Sequence, residues 1–441
     1  MKILLSILAL GLISVTNAQD SKVWTLQECV DYALENNISV KQTELDKNLA
    51  VEDVKTAKGS FLPNLNGSAS HNYNFGSSIG AQGGRISADF QSNNFGLNSS
   101  VIVFNGFANV HTLKQSQIGV KAQEAALAKM KNDISLNVVN GYLQVLFAKE
   151  QLKVAESQVD ISKEQVARIA ELVDAGASAE GDLFNVKSTL ATDNQSLVVA
   201  ENSLSIAELQ LAQLLQLSES TIEIQDISID VGDETILGKN VSEIYNHANE
   251  SFPEIKLAEL NIEIAAQAIK ISRANFYPTL SFNAGMSTVY QHRQGSTDFI
   301  TFSDQLDQNL GKSFGLSLSV PIFNRFQFRT GVNRSKINFQ KNEYFLESER
   351  LNLRSTIQTA YTDAQASSKS YDAAAISVES QTKAFDYAEE RYKAGAINSF
   401  DFNQTKNNLV NAQSQLIRSK YDYVFKLKVL EFYSGVPITI K

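Results

Sequence analysis

The chain states one pattern twice, and nothing else in it constrains the fold as tightly. Residues 33–65 and 248–280 match at an offset of 215 residues: Ala33, Lys41, Glu44, Leu45, Phe61, Pro63 and Leu65 recur as Ala248, Lys256, Glu259, Leu260, Phe276, Pro278 and Leu280. Further on the offset is 219: Phe95-Gly96-Leu97 and Phe104-Asn105 recur as Phe314-Gly315-Leu316 and Phe323-Asn324. Ala175-Gly176-Ala177, Asp182 and Lys187 then recur as Ala394-Gly395-Ala396, Asp401 and Lys406, again at 219. The four-residue slip falls between Leu65 and Phe95, in a Gly- and Ser-rich stretch. Loops absorb an insertion, whereas packed helices lose their register. The pattern predicts two copies of one long unit, and any function must use both.

The first residues read as an export signal: Met1-Lys2, an apolar run from Ile3 to Val15, then Thr16-Asn17-Ala18. The expected division is a signal peptide at 1–18, repeat 1 at 19–216, a connector at 217–240, repeat 2 at 241–433 and a tail at 434–441. No cysteine stands at the cleavage point, so a lipoprotein anchor is not expected. Cys29 is the single cysteine, which excludes an intramolecular disulfide, and it reads as a small core residue. The net charge of −9, with no basic stripe, argues against nucleic-acid binding.

Each repeat opens helically, at 26–60 and 241–275, and Pro63 and Pro278 are expected to end these helices. The period then changes to two. Leu65, Gly67, Ala69, His71, Tyr73 and Phe75 alternate with Asn66, Ser68, Ser70, Asn72 and Asn74. The same alternation marks about 94–104, 280–290 and 313–323. Each segment has about ten residues, the length at which a tilted strand crosses a bilayer. Half-buried surface hairpins would show the same alternation. After Phe107 and Phe326 the helical period returns and holds for some 66 residues, roughly 100 Å of helix at 1.5 Å per residue. A Gly-centred turn follows in each repeat, then a return helix of about 36 residues. A plain coiled-coil stalk remains compatible with this part.

Strands in hydrocarbon must close into a barrel, because every backbone group needs a partner. Four strands per chain do not close one. Eight would fill their own interior, whereas twelve leave an aqueous lumen for the small polar face. The economical reading is a homotrimer: a mixed α/β membrane protein with a 12-stranded outer-membrane β-barrel, four strands per chain, continuous with a periplasmic α-helical barrel.

The order helix, Phe-x-Pro, strand pair, Phe-Asn, very long helix, Gly turn, Asp and return helix, twice over, resembles the TolC family of outer-membrane efflux proteins. The resemblance spans the mature chain. It implies the exit duct of a tripartite efflux or type I secretion system, passively conducting substrates from an inner-membrane transporter of the RND or ABC type. A periplasmic adaptor would grip the helix turns at Gly176, Ala177, Gly395 and Ala396. By the same resemblance Tyr392, Asp182 and Gln165 match the network that closes the periplasmic entrance. Ile397 stands where that network has an arginine. Asp401 matches the first of two acidic entrance rings, and Gln404 stands at the second, which implies milder cation selectivity. Helix N-capping is the plainer role for Asp182 and Asp401. The alternative from another class is a periplasmic coiled-coil scaffold or adhesin without a pore.

Other signals carry little. Gly76-Ser77-Ser78-Ile79-Gly80 imitates a nucleophile elbow without its strand-to-helix setting. The four histidines lack ligand spacing. No phosphate loop or dinucleotide fingerprint occurs, so no enzyme and no cofactor are expected. Phe61, Phe104, Phe107, Phe276, Phe323 and Phe326 gather at the strand–helix junctions and read as an aromatic girdle. The outer loops at 76–93 and 291–312 read as solvated.

Overall fold

A computed structural model of the chain describes residues 23–79, 83–87, 89–218, 222–226, 234–293 and 300–436. The expected signal peptide, Gly80 and most of the tail lie outside them, as do parts of the connector and of the loop at 291–312. The first half runs β1 (Val23–Trp24), α1 (Leu26–Asn36), α2 (Ile38–Gly59), β2 (Asn66–Asn74), β3 (Ser77–Ile79), β4 (Arg85–Ser87), β5 (Phe90–Asn105), α3 (Ala108–Asp174) and α4 (Glu180–Leu215). The second runs β6 (Glu223–Ile224), a 3₁₀ turn (Glu234–Gly238), α5 (Val241–Ser251), α6 (Pro253–Ala274), β7 (Thr279–Arg293), α7 (Phe302–Gln308), β8 (Gly311–Ser319), α8 (Gln327–Lys393) and α9 (Ser399–Tyr433). The chain divides into two compact units, and these are not the repeats. One comprises 1–38, 131–244 and 357–441; the other comprises 39–130 and 245–356. Each unit draws on both repeats, because α3 and α8, 67 residues each, run from one unit into the other.

The first unit holds the helical hairpins and the connector. α1 begins with a capping box, Thr25 and Glu28 each satisfying the other's backbone N–H. Its apolar face buries Leu26, Cys29, Val30 and Ala33. β1 pairs in parallel with β6, and the buried Tyr142 hydroxyl donates to the Gln225 carbonyl at 2.8 Å, tying α3 to that pair. Lys149 adds bonds to the Ile224 carbonyl at 2.9 Å and to Asp226 at 3.1 Å.

The second unit holds a four-stranded antiparallel sheet in the order β2-β5-β7-β8. One face carries Ala69, Phe95, Leu97, Phe282, Met286, Phe314 and Leu316; the other carries Asn66, Asn98, Gly285, Ser313 and Ser287. Three details depart from the sequence expectation. β8 stops at Ser319, before Val320-Pro321, because proline has no N–H for the ladder. A bulge in β5 between Ile102 and Phe104 takes up Val103 and turns Phe104 onto the apolar face opposite Leu280, so Val103 does not continue the alternation. The loop at 291–312 is not simply solvated. It contains α7, whose Phe302 ring lies 4.9 Å from Tyr290 and 6.4 Å from Phe95 on the apolar face. The Thr288 hydroxyl donates to the Leu306 carbonyl at 2.6 Å.

The prolines are displaced from their expected role. α2 ends at Gly59 and α6 at Ala274, each four residues before Pro63 or Pro278. The same turn closes both: Phe61 and Leu62 donate to Lys58 and Gly59, and Phe276 and Tyr277 donate to Arg273 and Ala274. The prolines therefore set the extended backbone leading into the strands. On the way out, two consecutive left-handed residues turn the chain into each long helix: Gly106-Phe107 before α3, and Arg325-Phe326 before α8.

Candidate functional site

The candidate residues lie where α3 turns into α4 and α8 into α9, all within the first unit. Both turns are Schellman motifs. Ala177 and Ala396 donate back five residues to Leu172 and Arg391, while Gly176 and Gly395 donate back three to Val173 and Tyr392. Gly176 and Gly395 both have φ +73°, the left-handed conformation that glycine adopts without a Cβ penalty. A Cβ built at either glycine meets nothing within 4 Å, so the turns present open backbone.

Neither aspartate is a helix cap. α4 is preceded by Ala179, which makes no side-chain cap, and Asp182 stands in the first turn, accepting from the Ser178 hydroxyl at 3.0 Å. Asn398 caps α9, accepting from the Asp401 backbone N–H at 2.8 Å. Asp401 therefore keeps its carboxylate exposed at the positive end of a helix dipole. Gln404, one turn on, is exposed and donates along its own helix to Asn408 at 3.2 Å.

The structure brings Tyr392 and Asp182 together and adds a residue that the sequence reading missed. The Arg168 guanidinium lies 5.5 Å from the centre of the Tyr392 ring. It also donates to the carbonyls of Lys393 at 2.5 Å and Tyr392 at 3.4 Å. The last carbonyls of a helix have no partner within it and carry its negative pole, so a guanidinium placed there satisfies both demands. The Tyr392 ring also stacks on Phe402, with centres 4.6 Å apart and planes at 17°. Burial raises the Tyr392 phenol above its ordinary value, Arg168 opposes this, and the nearby Asp182 carboxylate raises it further. Gln165, 6% exposed, leaves both amide atoms without a hydrogen-bond partner, as does the Tyr392 hydroxyl. Only the repeat's own asymmetry marks Arg168 in the sequence, since its counterpart 219 residues on is Tyr387.

A second feature was hidden for the same reason. Lys406, 1% exposed, bonds Asp193 at 2.7 Å and the Ser162 hydroxyl at 2.6 Å. Gln158 donates to the other Asp193 oxygen at 2.6 Å. One buried cation thus joins α3, α4 and α9. Its repeat counterpart, Lys187, is exposed, and the position matching Asp193 is Ala412.

No helix is long and apolar enough to cross a membrane, and no cluster of potential metal ligands occurs among the described residues. A profile of the family described as outer membrane efflux protein matches residues 29–216 and 244–436, one segment per repeat. The chain belongs to that family. Among its relatives, the outer membrane protein TolC of Escherichia coli (strain K12) is 24% identical over 408 residues, 92% of this chain and 80% of the relative. The outer membrane efflux protein BepC of Brucella suis is 21% identical over 412 residues, 93% and 85%. The crystal structure of the Campylobacter jejuni CmeC outer membrane channel superposes with a TM-score of 0.75 at 20% identity, covering 93% of this chain and 85% of that one. The fold is that of the outer-membrane channels, and the protein is an outer-membrane protein whose helical part lies in the periplasm.

Proposed function

We propose that the protein is a homotrimeric exit duct of a tripartite efflux or type I secretion system, passively conducting substrates delivered by an inner-membrane RND or ABC transporter. The observation that carries this is the sheet: four strands, both edges free, one face apolar and the other built of Asn, Ser and Gly. Three such sheets make twelve strands, with the small polar face around a lumen and the apolar face toward lipid. The open turns at Gly176-Ala177 and Gly395-Ala396 suit close docking of a periplasmic adaptor's helices. Tyr392, Asp182, Gln165 and Arg168 hold the entrance in its resting state. Arg168 supplies from α3 the charged link that Ile397 does not.

Asp401, exposed in the first turn of α9, forms the single acidic ring, three carboxylates in the trimer. Gln404 adds no charge. A ring of fixed charge focuses the field in a narrow pore and enriches the opposite ion. Planar-bilayer recording of the purified protein under a salt gradient tests both pore and ring. The expected outcome is a conducting pore with modest cation preference that Asp401→Asn moves toward zero reversal potential. A pore indifferent to Asp401→Asn would remove the ring, and no pore at all would remove the duct.

A further inference from the structure

The second unit carries a charge pattern that the conduction reading does not use. No Asp or Glu occurs in residues 55–65, 94–123, 270–290 or 311–342, where an even distribution of the chain's 48 acids would place about ten. The same stretches hold twelve Lys and Arg, in a chain whose net charge is −9. These are the four places where strands meet helices. Lys58 stands in the last turn of α2, Arg273 in the last turn of α6, Arg325 in the turn before α8, and Arg329, Arg334 and Lys336 follow in its first turns. All six are exposed, and none makes an ion pair among the described residues. Lys55 is paired with Glu52.

Between these cations and the strands lie exposed apolar side chains: Phe61 and Leu62 beside Lys58, Phe276 and Tyr277 beside Arg273, Phe323 and Phe326 flanking Arg325. Along these three chain passages the order is apolar strand, aromatic belt, cation. Aromatic belts lie at headgroup depth, so the next shell of side chains stands at the lipid phosphates. We propose that this cationic collar binds the anionic phospholipid headgroups of the periplasmic leaflet, and so fixes the depth at which the barrel sits. The proposal rests on the sheet being the membrane-crossing element. Two observations support this occupant: the continuity of the collar with the membrane-facing strands, and its charge complementarity to phosphate.

Arg325 sharpens the case. Its φ is +53°, and the matching position in the first repeat is Gly106, φ +66°. Gly106 has no choice, since a Cβ there would lie 2.6 Å from the Ala274 carbonyl. At 325 the chain holds an arginine in a left-handed conformation that glycine would adopt more easily, which is expected where the side chain itself is useful.

The test uses the full-length protein, purified in mild detergent and offered to vesicles of phosphatidylethanolamine alone or of phosphatidylethanolamine with phosphatidylglycerol, with retained lipid counted by native mass spectrometry. The wild type is expected to retain phosphatidylglycerol preferentially and to lose that preference in high salt. The combined variant Arg325→Gly, Arg329→Gln, Arg334→Gln and Lys336→Gln is expected to lose roughly fivefold in retention for each charge removed. Arg325→Gly alone separates lipid binding from folding, because it relieves backbone strain: thermal stability should hold or rise while retention falls. Retention unchanged in the folded combined variant overturns the proposal. A shifted reversal potential with unchanged retention would overturn it by placing the cations in the lumen. Failure of the wild type to enter either vesicle would sink the membrane reading itself.

Discussion

In the proposed entrance closure, Arg168 and Tyr392 take over a link whose usual residue is missing. The resemblance implies an arginine where Ile397 stands, and Arg168 reaches the end of α8 from α3. Its bonds go to backbone carbonyls, so any shorter side chain leaves the Lys393 carbonyl without that partner. Arg168→Gln is expected to raise the frequency of open-channel events in planar-bilayer recordings while the barrel remains inserted. Arg168→Lys should restore charge at the helix end but not the planar contact over the ring, giving partial recovery. Tyr392 adds a pH signature. The folded-state pKa of its phenol lies above the ordinary 10.0, so this contribution to stability is complete below about pH 10 and is lost as pH rises beyond it. Tyr392→Phe should flatten that alkaline loss in a thermal-melt series, and its effect at neutral pH should be small, because the hydroxyl has no partner to lose. An unchanged open probability in Arg168→Gln would assign the resting closure to other groups.

At the scale of elements, much was legible and the exceptions have physical causes. The repeat placed the Gly turns, because a left-handed helix cap asks for glycine at one position only. The alternation located the strands, because one face meets hydrocarbon. The bulge at Val103 was not legible: Val101-Ile102-Val103-Phe104 is an unbroken apolar run, in which an inserted residue leaves no mark on the pattern. Nor was the burial of Lys406. A lysine at a repeated position reads as a solvated face, and its copy Lys187 is one. What buries Lys406 is Asp193, which has no copy. This pin gives an element-scale prediction. Lys406→Met leaves Asp193 buried without its cation and should cost about 3–5 kcal/mol, read as a fall in the unfolding midpoint. Adding Asp193→Leu should recover much of that loss, since a well-packed apolar pair can replace a buried ion pair. Equal losses in the single and double variants would mean that the cost is packing rather than an unpaired charge.

At the scale of the molecule, the fold is unfinished in one chain. β2 and β8 are the edges of the sheet, nine residues each, while the inner strands β5 and β7 have 16 and 15. Unpaired edges in lipid are untenable, so each β8 must meet the β2 of another copy. The strands alternate in direction, so that junction is antiparallel like the others. The matched length of the two edges lets it close without overhang. Stoichiometry then follows from the polar face. Ser, Asn and Gly fill little volume, and an eight-stranded barrel lined with them would leave its core unpacked, whereas twelve strands enclose water instead. Single-particle imaging of the detergent-extracted protein is expected to show three-fold symmetry, with six helical hairpins around the axis. A two-fold particle would mean that these small side chains line a packed barrel, and the lumen, the acidic ring at Asp401 and the duct would fall with it.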